Sequence, residues 1–127
     1  MTTATSNSIK SLKKSDLSKD NANNIFINQQ GPGMILFFAK WCGHCKTFGP
    51  VYQQLNSIIN KGGVNFPCLA IEDVEIPKIM NIEGFPTIKF FDEHGMIIKN
   101  STYNGKRDLE SLLSTICSSY GKCSNKN

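Results

Sequence analysis

Long apolar runs, arginine and clustered charge are what this 127-residue chain has least of. No stretch of 18 apolar residues exists, so no segment reads as a membrane-spanning helix. Arginine occurs once, at Arg107, and the remaining basic residues are lysines dispersed along the chain. A net charge of +4 without a basic cluster excludes a phosphate-gripping face, and no nucleic-acid partner is expected. The first eight residues are polar and lack the apolar segment of a secretory leader. The last four, Ser124-Asn125-Lys126-Asn127, are not an endoplasmic-reticulum retrieval signal. Five cysteines are an odd number, which does not suggest a complete disulfide framework. These absences favour a reducing compartment. The expected localisation is cytoplasmic, with a virion or the endoplasmic reticulum, reached by a route not visible in the sequence, as the alternative.

What is present fits one globular domain with a core of its own. Residues 1–8 and 119–127 are small and polar and are expected to be loose tails around a domain at 9–118. Residues 9–14 read as an edge strand. Asp16 or Ser18 is placed to cap a helix reaching about residue 29, with Leu17, Ala22, Ile25 and Phe26 on its buried face. Residues 34–39 are apolar without alternation, as in a strand covered on both sides. Phe48, Val51, Tyr52, Leu55, Ile58 and Ile59 then recur at helical spacing up to Lys61-Gly62-Gly63, with Pro50 interrupting from within. A second central strand is expected over 64–71 and a short helical turn over 76–80. Residues 87–91 read as a strand, joined through an Asp92-Glu93-His94-Gly95 turn to a partner over 96–102. Leu109, Leu112, Leu113, Ile116 and Cys117 stripe a terminal helix. The fold class is α/β: a central mixed sheet of four to five strands with helices on both faces.

The chemistry is concentrated in Trp41-Cys42-Gly43-His44-Cys45. The motif follows a strand and opens a helix, whose first N–H groups lack partners and carry partial positive charge. A thiolate at Cys42 is stabilised there, and Cys45, one turn on, can close a disulfide with it. Cys42 reads as the nucleophile and Cys45 as the resolving thiol.

Four segments together resemble the thioredoxin superfamily, and Trp-Cys-Gly-His-Cys-Lys is most similar to the catalytic domains of protein disulfide isomerases. They are the redox motif, Pro50 five positions beyond Cys45, Gly84-Phe85-Pro86-Thr87, and Tyr103-Asn104-Gly105-Lys106-Arg107. The resemblance spans about residues 8–118 and implies a protein disulfide oxidoreductase with the thioredoxin fold. It implies that Pro86 is a cis-proline packed against the cysteine pair. It also implies that Phe85 offers its backbone to an extended substrate, and that Arg107 modulates the pKa of the second cysteine. His44 is expected to stabilise the Cys42 thiolate and make the disulfide more oxidising. Trp41 is expected to form an exposed apolar rim, and Gly43 completes the motif. The implied partners are protein dithiols and disulfides, plus an electron donor or acceptor such as thioredoxin reductase, glutathione or a thiol oxidase. The chain is expected to be a monomer without a cofactor.

A zinc site needs two more ligands, and Cys68, Cys117 and Cys123 form no second Cys-x-x-Cys, so no metal is expected. Cys68 and Cys117 read as buried, inert thiols, while Cys123 is left as inert or as a partner in a mixed or intermolecular disulfide. A different class of function is a redox-inert thioredoxin-like adaptor or structural component, for instance of a virus particle. One departure from the family bears on mechanism. A buried acid usually precedes the motif at the position held here by Leu36, and 64–71 lacks its companion lysine. Glu72, Lys40 or water is left to take the Cys45 proton, and a slow resolving step near neutral pH is expected.

Overall fold

The computed structural model describes residues 9–123. Its central sheet has four strands, in the order β1 (Lys10–Leu12), β5 (Cys68–Glu72), β4 (Gly33–Phe38) and β6 (Thr87–Phe91). Three run parallel, and β6 is antiparallel to β4, which makes the sheet mixed, as expected. The helices are α1 (Gly43–Lys61) and α2 (Leu109–Tyr120). A separate antiparallel pair is formed by β2 (Leu17–Lys19) and β3 (Ile25–Ile27).

That hairpin replaces the helix expected over 16–29. The cause is local. The Asp20 carboxylate accepts hydrogen bonds from the backbone N–H groups of Ala22 and Asn24, and Asn23 sits at φ 66°. Side-chain capture of this kind turns the chain before a helix can propagate. Ile25 and Ile27 then point into the core with half-buried Phe26 between them, the period of a strand. Both α-helices thus pack on one face of the sheet, while the hairpin and, through Met80, the 3-10 turn Lys78–Met80 pack on the other.

Both central strands are buried on both sides, and this splits the core in two. Met34, Leu36, Cys68 and Ala70 face Phe48, Tyr52, Leu55 and Ile59 of α1 and Leu112 and Ile116 of α2. Ile35, Phe37, Leu69 and Ile71 face Leu12, the hairpin residues Ile25 and Ile27, and Ile97. Tyr52, only 1 % exposed, donates its hydroxyl to the Leu69 carbonyl at 2.6 Å, so its polar end is satisfied at depth.

Two further expectations are corrected. β5 begins at Cys68 rather than at residue 64, because Pro67 has no N–H to give a ladder; its carbonyl accepts from Met34 instead. Residues 96–102 make only isolated bridges, Met96 to Phe26 and Ile97 to Phe91. The Ser101 hydroxyl accepts the Phe90 N–H at 2.9 Å and donates to the Ile98 carbonyl, interrupting a pairing that resumes where the Tyr103 N–H donates to the Ile88 carbonyl. The turn before them requires Gly95, at φ 84°, where a Cβ would collide with the Ile27 and Gln29 carbonyls.

α2 continues to Tyr120, beyond residue 118 where the domain was expected to end. Gly121 caps it at φ 69°, reversing the chain so that Cys123 returns to Cys117 and forms a disulfide with it. Cys117 is thus no inert thiol, and Cys123 pairs within the chain rather than between chains. The remaining residues expected as tails, 1–8 and 124–127, lie outside the described residues. Among the described residues, no helix is long and apolar enough to cross a membrane.

Candidate active site

The parallel strands β4 and β5 end on the same side, and the loops that leave them build the site. β4 runs into Ala39 and Lys40, and Cys42 is then the N-cap of α1 at φ −89° and ψ 121°. Its N–H bonds back to the Ala39 carbonyl, and its own carbonyl accepts from Lys46. Cys42 and Cys45 lie 3.6 Å apart, and both are free thiols. The two are nonetheless unlike. Backbone N–H from Cys45, supplemented by the Cys45 side chain and the His44 N–H, holds the Cys42 thiol below the ordinary range. Burial opposes this, and Arg107 adds a small attraction. Cys45 is pushed up, chiefly by burial and then by its neighbour Cys42, while the Ala39 backbone and Arg107 pull the other way. One sulfur favours the anion and its partner favours the proton.

Gly43 and His44 are exposed at the helix start. The His44 backbone N–H is among the groups that lower the Cys42 thiol. Arg107, exposed and just ahead of α2, acts on both thiols, with a weak pull on each. The Phe85–Pro86 peptide is cis, and the Phe85 carbonyl accepts the Cys42 thiol at 3.4 Å. Phe85 also packs on the cluster of Ala39, Cys42 and Cys45.

Trp41 is 71 % exposed beside the nucleophile. Its ring meets Phe85 edge to face at 6.0 Å, and its indole N–H donates to Asp73 Oδ2 at 3.1 Å. An exposed indole fixed at two points is a rigid apolar rim. Asp73 is the site residue that sequence reasoning missed. The signal that could have found it is its place immediately after β5, at the same sheet end as Cys42.

The inner side of Cys45 shows the consequence of Leu36. Leu36 is 6 % exposed and lies opposite Ala70 in the β4–β5 register, and both line a cleft with Cys45. Lys40 lines the same cleft and pairs with Glu72 at 3.9 Å. The third free thiol, Cys68, is pushed up to about 12 by burial and takes no part. Among the described residues no group of three or more His, Cys, Asp or Glu is placed to hold a metal ion.

Comparison with known proteins agrees with this geometry. The thioredoxin family model matches residues 13–118. The chain is similar to the protein disulfide-isomerase tigA of Aspergillus niger, at 35 % identity over 113 residues, covering 84 % of this chain and 30 % of that protein. It is similar to the protein disulfide-isomerase erp38 of Neurospora crassa, also at 35 % identity, covering 84 % of this chain and 29 % of that protein. The chain therefore spans less than a third of the length of these relatives. Among solved structures it resembles thioredoxin of Malassezia sympodialis at 25 % identity and TM-score 0.59, covering 86 % and 88 % of the two chains. It also resembles the first two thioredoxin domains of Naumovozyma dairenensis Eps1p at 30 % identity and TM-score 0.53, covering 65 % of this chain and 32 % of that one. With the matched span running from the first turn of the domain to its last helix, the chain belongs to the thioredoxin family.

Proposed function

We propose that the chain is a protein thiol–disulfide oxidoreductase working through Cys42 and Cys45. One observation carries the reading: two free thiols 3.6 Å apart at a helix start, shifted in opposite directions by their surroundings. In reduction, the Cys42 thiolate attacks a substrate disulfide and expels one substrate sulfur as a thiolate. The mixed disulfide is then attacked by Cys45, which loses its proton, releases the second substrate sulfur and leaves Cys42–Cys45 oxidised. In oxidation a substrate thiolate attacks Cys42–Cys45 and the sequence runs backwards. A substrate thiol that attacks the mixed disulfide before Cys45 does produces isomerisation.

The substrates proposed are protein disulfides and dithiols. Their extended backbone would lie at Phe85 and Pro86, with apolar side chains against the Trp41 rim, and main-chain pairing of that kind tolerates many sequences. His44 would favour the oxidising direction. Arg107 would ease ionisation of Cys45, in keeping with its weak attraction for that sulfur. The Cys117–Cys123 disulfide favours an oxidising compartment over the cytoplasm first expected.

Insulin reduction with dithiothreitol as donor tests the activity. Turnover that Cys42→Ser abolishes supports the reading, and equal turnover without Cys42 overturns it. The potential of the pair then fixes direction: about −270 mV marks a reductase and about −180 mV an isomerase or oxidant.

A further inference from the structure

Between α1 and the β1 edge of the sheet runs a cleft of about 470 Å³. Leu36, Phe38 and Ala70 of the sheet line it on one side, and Cys45, Gly49 and Tyr52 of α1 on the other. Its size lies within the range of small-molecule sites, and its surface is mainly apolar. Two features hold it open. Ala70 is the smallest side chain of β5 and sits opposite Leu36, so the sheet offers a shallow floor there. Gly49 lies inside α1, where glycine weakens a helix relative to alanine. A Cβ at Gly49 would meet nothing within 4 Å, so packing does not demand glycine at this position. The bare backbone leaves the mouth of the cleft clear.

The rim is basic. Lys40 and Lys46 both line the cleft; Lys40 is engaged by Glu72, whereas Lys46 has no ion-pair partner among the described residues. Lys46 precedes Gly49 by three positions and so shares its helix face. We propose that this cleft binds a small amphipathic anion of the medium-chain carboxylate type. Its apolar chain lies against Leu36, Phe38 and Ala70, and its head group pairs with Lys46. The binding is noncovalent and does not depend on the redox chemistry proposed for Cys42 and Cys45.

Decanoate and decanol, titrated separately into the full-length 15N-labelled chain below their aggregation limits, test the site. Decanoate should shift the backbone amides of Leu36, Cys45 and Ala70 saturably. Gly49→Leu, whose added Cβ meets nothing within 4 Å, should weaken decanoate about tenfold while the Tm is kept or raised. Lys46→Glu should weaken decanoate about fivefold and leave decanol unchanged. Absence of a saturable shift, or full affinity in folded Gly49→Leu, overturns the site. Decanol binding as tightly as decanoate overturns the assignment of an anion.

Discussion

A few hydrogen-bond donors separate two chemically identical thiols. Cys42 receives N–H groups at the head of α1, and Cys45 is enclosed by protein, so their acidities diverge. Cys42 is an acid with a lowered value, so its thiolate persists above that value and is lost as pH falls through it. Iodoacetamide capture should therefore show a midpoint for Cys42 below the ~8.5 of a free thiol, with Cys45 reacting only at higher pH. Cys68, pushed up to about 12 and buried, should stay unlabelled until the chain unfolds. Mass mapping of labelled cysteines against pH checks the order. Leu36 supports a second expectation. A carboxylate placed there by Leu36→Glu would share the cleft with Cys45 and accept its proton, so insulin reduction near pH 7 should rise several-fold. An unchanged rate would show that proton removal from Cys45 is not limiting. The cysteine pair was legible in the sequence because a spacing of three on a helix leaves little freedom. Asp73 was not, because a strand end 32 residues away meets Trp41 only after the sheet has formed.

Between residues and the whole molecule, short polar side chains decide where elements begin. Asp20 holds the β2–β3 turn, and Asp108 caps α2 by accepting the Ser111 N–H at 2.8 Å. Both carboxyls are held below the usual range, Asp20 mainly by the Asn24 side chain and Asp108 mainly by the Ser111 backbone. A depressed carboxylate contributes stability above its unfolded value, about 3.9, and loses it as pH falls through the lower folded value. Asp20→Ala and Asp108→Ala should each lower the Tm at pH 7 by a few degrees and flatten its fall as pH drops below about 4. Thermal melts over that range check both. The same carboxylate explains why the hairpin was misread. Leu17, Ala22, Ile25 and Phe26 do fall on a helical stripe, but periodicity takes no account of the Asp20 bonds and the Asn23 conformation. α1 was legible despite Pro50, because its apolar stripe continues on both sides of the interruption.

At the scale of the molecule, the sheet carries two cores and the Cys117–Cys123 disulfide locks one end. Tyr120, just before the Gly121 cap, stacks on Phe90 at 4.7 Å and meets Phe66 at 5.9 Å, so the end of α2 covers the helical core. Cys117–Cys123 closes a short loop across that cap. Cys123→Ser should cost about 2 kcal/mol, read as a Tm lowered by roughly 5–10 °C, while alkylation of Cys42 keeps its pH midpoint. A Tm equal to that of the parent would show that the cross-link does not restrain the chain in solution.

The sequence by itself determined the cysteine pair, the helix that starts on it, the two central strands and the apolar faces that bury them. All of these rest on spacings of a few residues, where helix and strand periods dictate which side chains share a face. Tertiary structure alone decided that a hairpin covers the second face, that Trp41 is anchored to Asp73, that Cys123 reaches Cys117, and that a cleft opens behind Cys45. Each of these depends on groups brought together by turns and sheet pairing, and their geometry exists only once distant strands have docked.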